Sequence, residues 1–138
     1  MDICRKLKEY EEGKRGKIGI IHGDPVFTNI IIDNSNSIRF IDMRGKQGND
    51  ITIMGDINYD YAKLYQSLIG YDEILEDGNI NLVYRNRMIK YFEELIVDKF
   101  SEQTLNDIKI ITKSMLFSLL LLHCNEKCEA YYGLINTF

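Results

Sequence analysis

Residues 20–32 read IIHGDPVFTNIII. Two isoleucine runs bracket a polar centre that holds His22, Asp24, Asn29 and the only proline of the chain, Pro25. Isoleucine favours strands, and a strand does not accept proline in its middle. The stretch therefore predicts a loop over 22–29, held between two short buried strands, Lys17–Ile21 and one that begins at Ile30–Ile32. Asp33-Asn34-Ser35-Asn36-Ser37 follows, a run of residues that bond their own backbone and turn the chain. Ile38–Ile41 returns as the hairpin partner, which leaves Asp42 at the exit of that strand.

Around this unit the pattern is helical. Ile3, Leu7 and Tyr10 share helical spacing over residues 1–12, and Gly13 and Gly16 end that helix. Residues 43–56, with Gly45, Gly48 and Gly55 and little periodicity, predict a long loop, which is uncommon unless it has a function. From Tyr59 onward Ala62, Tyr65, Leu68 and Ile69 fall on one helical face, and Gly70 stops the run. Further helices are predicted over 81–99, 104–123 and from 126 to about 136. The order is a small β-hairpin unit, a loop and then helices. No repeat, low-complexity tract or internal linker divides residues 1–138, so the chain predicts a single α+β, mainly helical domain.

Composition narrows the function. The chain has 138 residues, 45% hydrophobic and 28% charged, ordinary values for a folded domain. Its net charge of -4 gives no general reason to expect nucleic-acid binding. Lys14, Arg15 and Lys17 form a small basic cluster that reads as a solvated loop. The longest apolar run, 115–122, is interrupted by Ser118, is too short to span a bilayer, and reads as a buried helix. The N-terminus is charged and shows no signal peptide, and the three cysteines are an odd count; both fit a reduced, cytoplasmic setting. His123, Cys124 and Cys128 supply three neighbouring ligands where structural zinc takes four, so they read as packing residues.

Four pieces carry chemistry: His22-Gly23-Asp24, Asn29 five residues after the aspartate, Asp42 at a strand exit, and Gly55-Asp56-Ile57-Asn58-Tyr59-Asp60-Tyr61-Ala62-Lys63-Leu64 at a helix start. Phosphoryl transfer needs a group to receive the acceptor hydroxyl, and divalent metal to neutralise the phosphate oxygens. One carboxylate can serve the hydroxyl, while an amide oxygen and a second carboxylate suit Mg²⁺, which prefers oxygen ligands. Read alone, Asp24 and Asn29 are ordinary loop caps, and Asp56 and Asp60 are helix caps. Asp33 reads as part of the turn. Tyr59, Tyr61, Tyr65 and Tyr71 read as helix packing rather than a base-stacking platform.

Taken together, the residues resemble a known family. HGDPVFTN is similar to the catalytic-loop pattern H-x-D-x-x-x-x-N of protein kinases and their small-molecule relatives, and glycine after the histidine favours the relatives: aminoglycoside phosphotransferases, choline kinases and similar enzymes. IDMRG resembles that group's metal-binding Asp-Phe-Gly segment, and GDINYDYAKL its following helix. The combination is most similar to phosphotransferase-like proteins of capsule and envelope polysaccharide biosynthesis. The resemblance covers residues 17–70 well. It implies the C-terminal lobe of a protein kinase-like fold, with the hairpin carrying the catalytic and metal loops. It also implies ATP or GTP as donor, Mg²⁺ as cofactor and a small hydroxylated acceptor such as a sugar or envelope precursor. Asp24 would be the catalytic base, with His22 bracing its loop. Asn29 and Asp42 would hold Mg²⁺, and Asp60 would accept backbone N–H bonds from the loop. Arg44 and Lys46 would face an anionic substrate.

Only 21 residues precede His22, too few for the family's nucleotide-binding N-terminal lobe with its glycine-rich loop and Lys–Glu pair. The chain therefore reads as a C-lobe alone, incomplete or inactive by itself, or completed by a partner chain. Two other functions compete. One is a non-catalytic interaction domain that exposes an apolar docking face and self-associates through it. The other is a metal-dependent phosphoesterase, weakened by the presence of only two histidines.

Overall fold

A computed structural model describes residues 2–120 and 125–138. The chain is α+β and mainly helical. Its elements are α1 (Ile3–Glu12), β1 (Ile18–Ile20), a 3-10 turn (Phe27–Asn29), β2 (Ile30–Ile32), β3 (Ile38–Phe40), β4 (Lys46–Gln47), β5 (Asp50–Ile51), β6 (Met54–Asp56), α2 (Ile57–Leu68), α3 (Tyr71–Leu75), α4 (Leu82–Lys99), α5 (Glu102–Leu119) and α6 (Asn125–Ile135).

Helix starts follow the residues that can cap them. Asp2, Asp56, Asn81 and Ser101 each accept a backbone N–H from the first turn of α1, α2, α4 and α5, the role short polar side chains fill at an N-cap. The core lies among the helices. Ala62 and Tyr65 of α2 and its C-cap residue Ile69 cluster with Phe92 and Ile96 of α4, Ile108 and Leu116 of α5, and Tyr131 and Leu134 of α6. Each fully buried aliphatic or aromatic side chain contributes about 1.5–3 kcal/mol of transfer free energy. Thr112 Oγ donates to the Ala62 carbonyl at 3.1 Å and the Ile108 carbonyl at 2.9 Å, which satisfies a buried hydroxyl while joining α5 to α2.

The hairpin forms as the sequence predicts. β2 and β3 are antiparallel, with Ile30 opposite Phe40 and Ile32 opposite Ile38. Asp33 Oδ1 accepts from Ser35 N, Ser35 Oγ and Ser37 N, so the turn is built from side chain-to-backbone bonds.

Several expectations are corrected. The strands are not buried: Ile18, Ile20, Ile32, Ile38 and Phe40 are all more than half exposed. The helices fill the core among themselves and leave the strands on its outside. Residues 43–56 are not a structureless loop. Gly48, with φ 59°, heads the two-residue turn between β4 and β5, where a type II′ hairpin needs glycine. β6 pairs antiparallel with β1, Gly55 opposite Gly19. A side chain at Gly55 would meet Ile21 Cδ1 at 2.4 Å, so this glycine marks close approach rather than a loop.

The basic cluster is not simply solvated. Arg15 pairs with Asp107 at 3.0 Å, and the Lys17 ammonium sits 5.0 Å from the Phe100 ring centre. Of the apolar run 115–122, the described residues are only partly buried, with Leu116 inside and Phe117 exposed. Helix α3 has no counterpart in the sequence reading. His123 and Cys124 lie outside the described residues; Cys128 is half-buried, its Sγ donating to the Leu120 carbonyl at 3.3 Å.

Candidate functional site

The loop 22–29 is fastened to one stripe of α2. Asp60, in the first turn of that helix, accepts His22 N at Oδ2 (2.6 Å) and Gly23 N at Oδ1 (2.9 Å). A carboxylate there is also favoured by the helix dipole. Further along the helix, Lys63 reaches Asp24 and Ser67 Oγ accepts Phe27 N at 3.1 Å. Asp60, Lys63 and Ser67 are spaced i, i+3, i+7 and so share a face. Gly23 is buried with φ 84°. A side chain there would meet Arg44 Cβ at 2.8 Å, so both conformation and space require glycine.

Within this frame Asp24 and Asn29 are brought together. Asn29 Nδ2 donates to the Asp24 carbonyl at 2.9 Å and approaches its carboxylate at 3.5 Å. Asp24 Oδ1 lies 3.0 Å from Lys63 Nζ, with the two side chains 35% and 16% exposed. His22 braces the turn: its Nδ1 accepts Asp24 N at 3.3 Å, and its ring packs against Phe40 with centroids 5.6 Å apart. A neutral His22 then carries its proton on Nε2, a buried atom with no partner among the described residues.

Asp42 follows the same path. Ile41 N donates to the Asn29 carbonyl at 3.0 Å, continuing the β2–β3 ladder and delivering Asp42 beside the end of the loop. Asp42 is exposed, adopts φ 58° and makes no hydrogen bond or ion pair with any described residue. Its carboxylate and the Asn29 amide oxygen, which accepts no bond from any described residue, are hard oxygen donors without competing partners among those residues. This donor chemistry fits Mg²⁺. Among the described residues there is no group of three or more His, Cys, Asp or Glu that could hold a metal. A magnesium ion here would rely on few protein ligands and otherwise on water and phosphate, its usual habit.

Arg44 and Lys46 lie with Gly23 and Tyr59 beside the base of the loop. Arg44 N donates to the His22 carbonyl at 2.9 Å and its guanidinium reaches Tyr59 Oη at 3.4 Å. Lys46 is exposed in β4. Among the described residues neither makes a hydrogen bond or ion pair with Asp24, Asn29 or Asp42.

Sequence reasoning missed Lys63 and Ser67, whereas Tyr71 packs against the core as expected. Helical spacing from Asp60 carried the signal for Lys63 and Ser67. Burial pushes the Tyr71 hydroxyl pKa up, helped by the charges of Asp72 and Asp24. Between the loop, β3 and α2 lies an apolar pocket of about 360 Å³, lined by residues including His22, Phe40, Met43, Tyr61 and Leu64.

No family model, no curated protein and no solved structure matches the chain.

Proposed function

We propose that the chain is the C-terminal lobe of a kinase-like small-molecule phosphotransferase, related to aminoglycoside phosphotransferases and choline kinases. It would move the γ-phosphate of ATP or GTP to a hydroxyl of a sugar or cell-envelope polysaccharide precursor. One observation carries the reading: the Asp60 carboxylate clamps two consecutive amides of the loop while Asn29 is bonded back to Asp24. A loop so fixed holds the half-buried Asp24 carboxylate at a defined place, and the strand that ends at Asp42 is bonded to the loop's end through Ile41 and Asn29.

In this reading Asp24 receives the acceptor hydroxyl. The hydroxyl oxygen bonds to the γ-phosphorus as the bond to the bridging oxygen of the leaving diphosphate breaks, and the hydroxyl proton passes to Asp24. Lys63 Nζ, 3.0 Å from Oδ1, orients Asp24. Asn29 and Asp42 would hold Mg²⁺, which when bound neutralises charge on the phosphate oxygens. The remaining nucleotide contacts would come from a lobe outside these residues.

The test is calorimetric titration with ATP and GTP, each with and without magnesium, on the chain and on Asp42→Ala. Magnesium-dependent binding that Asp42→Ala abolishes is expected. Equal binding by both proteins would remove Asp42 from the site, and with it the reading.

A second reading, a kinase-like lobe that serves as a non-catalytic interaction domain, is favoured by one observation. Ile32, Ile38 and Phe40 lie on one face of the hairpin and are 64%, 60% and 55% exposed. An apolar face of this kind marks an interaction surface. Absence of nucleotide binding in both proteins would favour this reading over the first.

A further inference from the structure

A second cavity lies on the side of α2 turned away from the loop. Tyr65 stands two residues beyond Lys63, about 200° around the helix. The cavity has a volume of about 400 Å³, within the size range of small-ligand sites. Residues of α2, α4 and α5, with Thr137 and Phe138, form its wall.

Arg85, Lys90 and Lys109 line it with Glu93, and Lys90 is paired at 3.7 Å with Glu94, outside the lining. Glu93 is already engaged: Lys109 Nζ lies 2.7 Å from Oε1, and Tyr65 Oη donates to the same oxygen at 2.5 Å. Arg85 has no carboxylate partner among the described residues. Its Nη1 donates to the Ile69 carbonyl at 3.1 Å, and its Nε is buried without an acceptor. A partly buried guanidinium held without an anion is costly, and a bidentate oxyanion is the group that relieves it. The rest of the wall mixes the polar Asn86 and Thr137 with three apolar side chains. Ile69 is 1% exposed, and Ile89 and Phe138 pack against the core beside it.

We propose that this cavity binds a small organic oxyanion, a carboxylate or phosphomonoester, with Arg85 gripping the anionic head and Ile69, Ile89 and Phe138 covering an apolar body. The site is independent of the phosphotransfer reading, because it uses neither the loop nor its metal-binding groups.

The test follows the Arg85 Nε–H resonance in ¹⁵N-labelled protein during titration with phenyl phosphate, benzoate and the uncharged benzyl alcohol. A saturable shift with at least one oxyanion, and none with benzyl alcohol, is expected. The tighter of the two oxyanions identifies the class of head group. Arg85→Met should weaken binding about tenfold or more, the loss of a charged hydrogen bond. That variant also removes the bond to the Ile69 carbonyl, so Asn86→Trp serves as a second. Asn86 is exposed at the cavity rim, and a bulky ring there should block entry and leave the fold intact. No saturable shift with either oxyanion, an equal response to benzyl alcohol, or undiminished binding in Asn86→Trp would overturn the proposal.

Discussion

Lys63 Nζ stands 3.0 Å from Asp24 Oδ1, so the carboxylate read as the catalytic base already has a cation beside it. The pair is partly screened, since the Asp24 side chain is 35% exposed, and its coupling should be near the upper end of surface pairs, about 1 kcal/mol. A double-mutant cycle of Asp24→Asn and Lys63→Met, read by urea denaturation, measures it. A coupling indistinguishable from zero would mean that Lys63 does not hold the base.

Asp60 acts on the backbone rather than on chemistry. Both of its oxygens are engaged, one by His22 N and one by Gly23 N. Asp60→Asn keeps a single acceptor for two part-buried donors, and the expected loss is about 1–3 kcal/mol, the cost of leaving one unsatisfied. Hydrogen exchange at the His22 and Gly23 amides should accelerate together. Unchanged protection of both would show that the loop is fixed by something other than this carboxylate.

The helices and the hairpin were legible because their signals are local. Ala62, Tyr65 and Ile69 recur at the spacing of one helical face, and Asp33 and the serines after it announce their own turn. The pairing of β1 with β6 was not legible, because Gly19 and Gly55 lie far apart in sequence and three-residue strands carry no periodicity. Burial of the strands was misjudged for a related reason: isoleucine reports strand preference, not which face meets a core. At the site, the resemblance pointed to Asp24, Asn29, Asp42 and Asp60; spacing alone would have left Asp24, Asn29 and Asp60 as loop and helix caps. For Lys63 helical spacing from Asp60 placed it on the right face, but its partner is set by how the loop folds onto α2.

Stability should fall at alkaline pH. Burial pushes Tyr131 from 10.0 up to about 12. Tyr65 and Tyr10 are raised further by burial, strengthened by their bonds to Glu93 and Asp56. A tyrosine whose pKa is raised on folding contributes fully below its unfolded value, and that contribution is lost as pH rises through the folded value. For Tyr131 the window runs from pH 10.0 to about 12. Urea denaturation across it should show a steady loss of stability, with a shallower slope in Tyr131→Phe. A flat profile would contradict the burial of these hydroxyls.

The exposed hairpin face should associate. Ile32 and Ile38 are paired across the strands and, with Phe40, leave an apolar strip in water. Such a strip gains by meeting another, at roughly 25 cal/mol per Å² covered. Light scattering should show mass rising with concentration, and Ile38→Lys should suppress the rise. The substitution sits at a 60% exposed position, where stability effects stay within about 0.5 kcal/mol, so its effect reads association rather than unfolding. A protein that stays monomeric at the highest accessible concentration would leave this face without self-association and remove the main support for the interaction-domain reading.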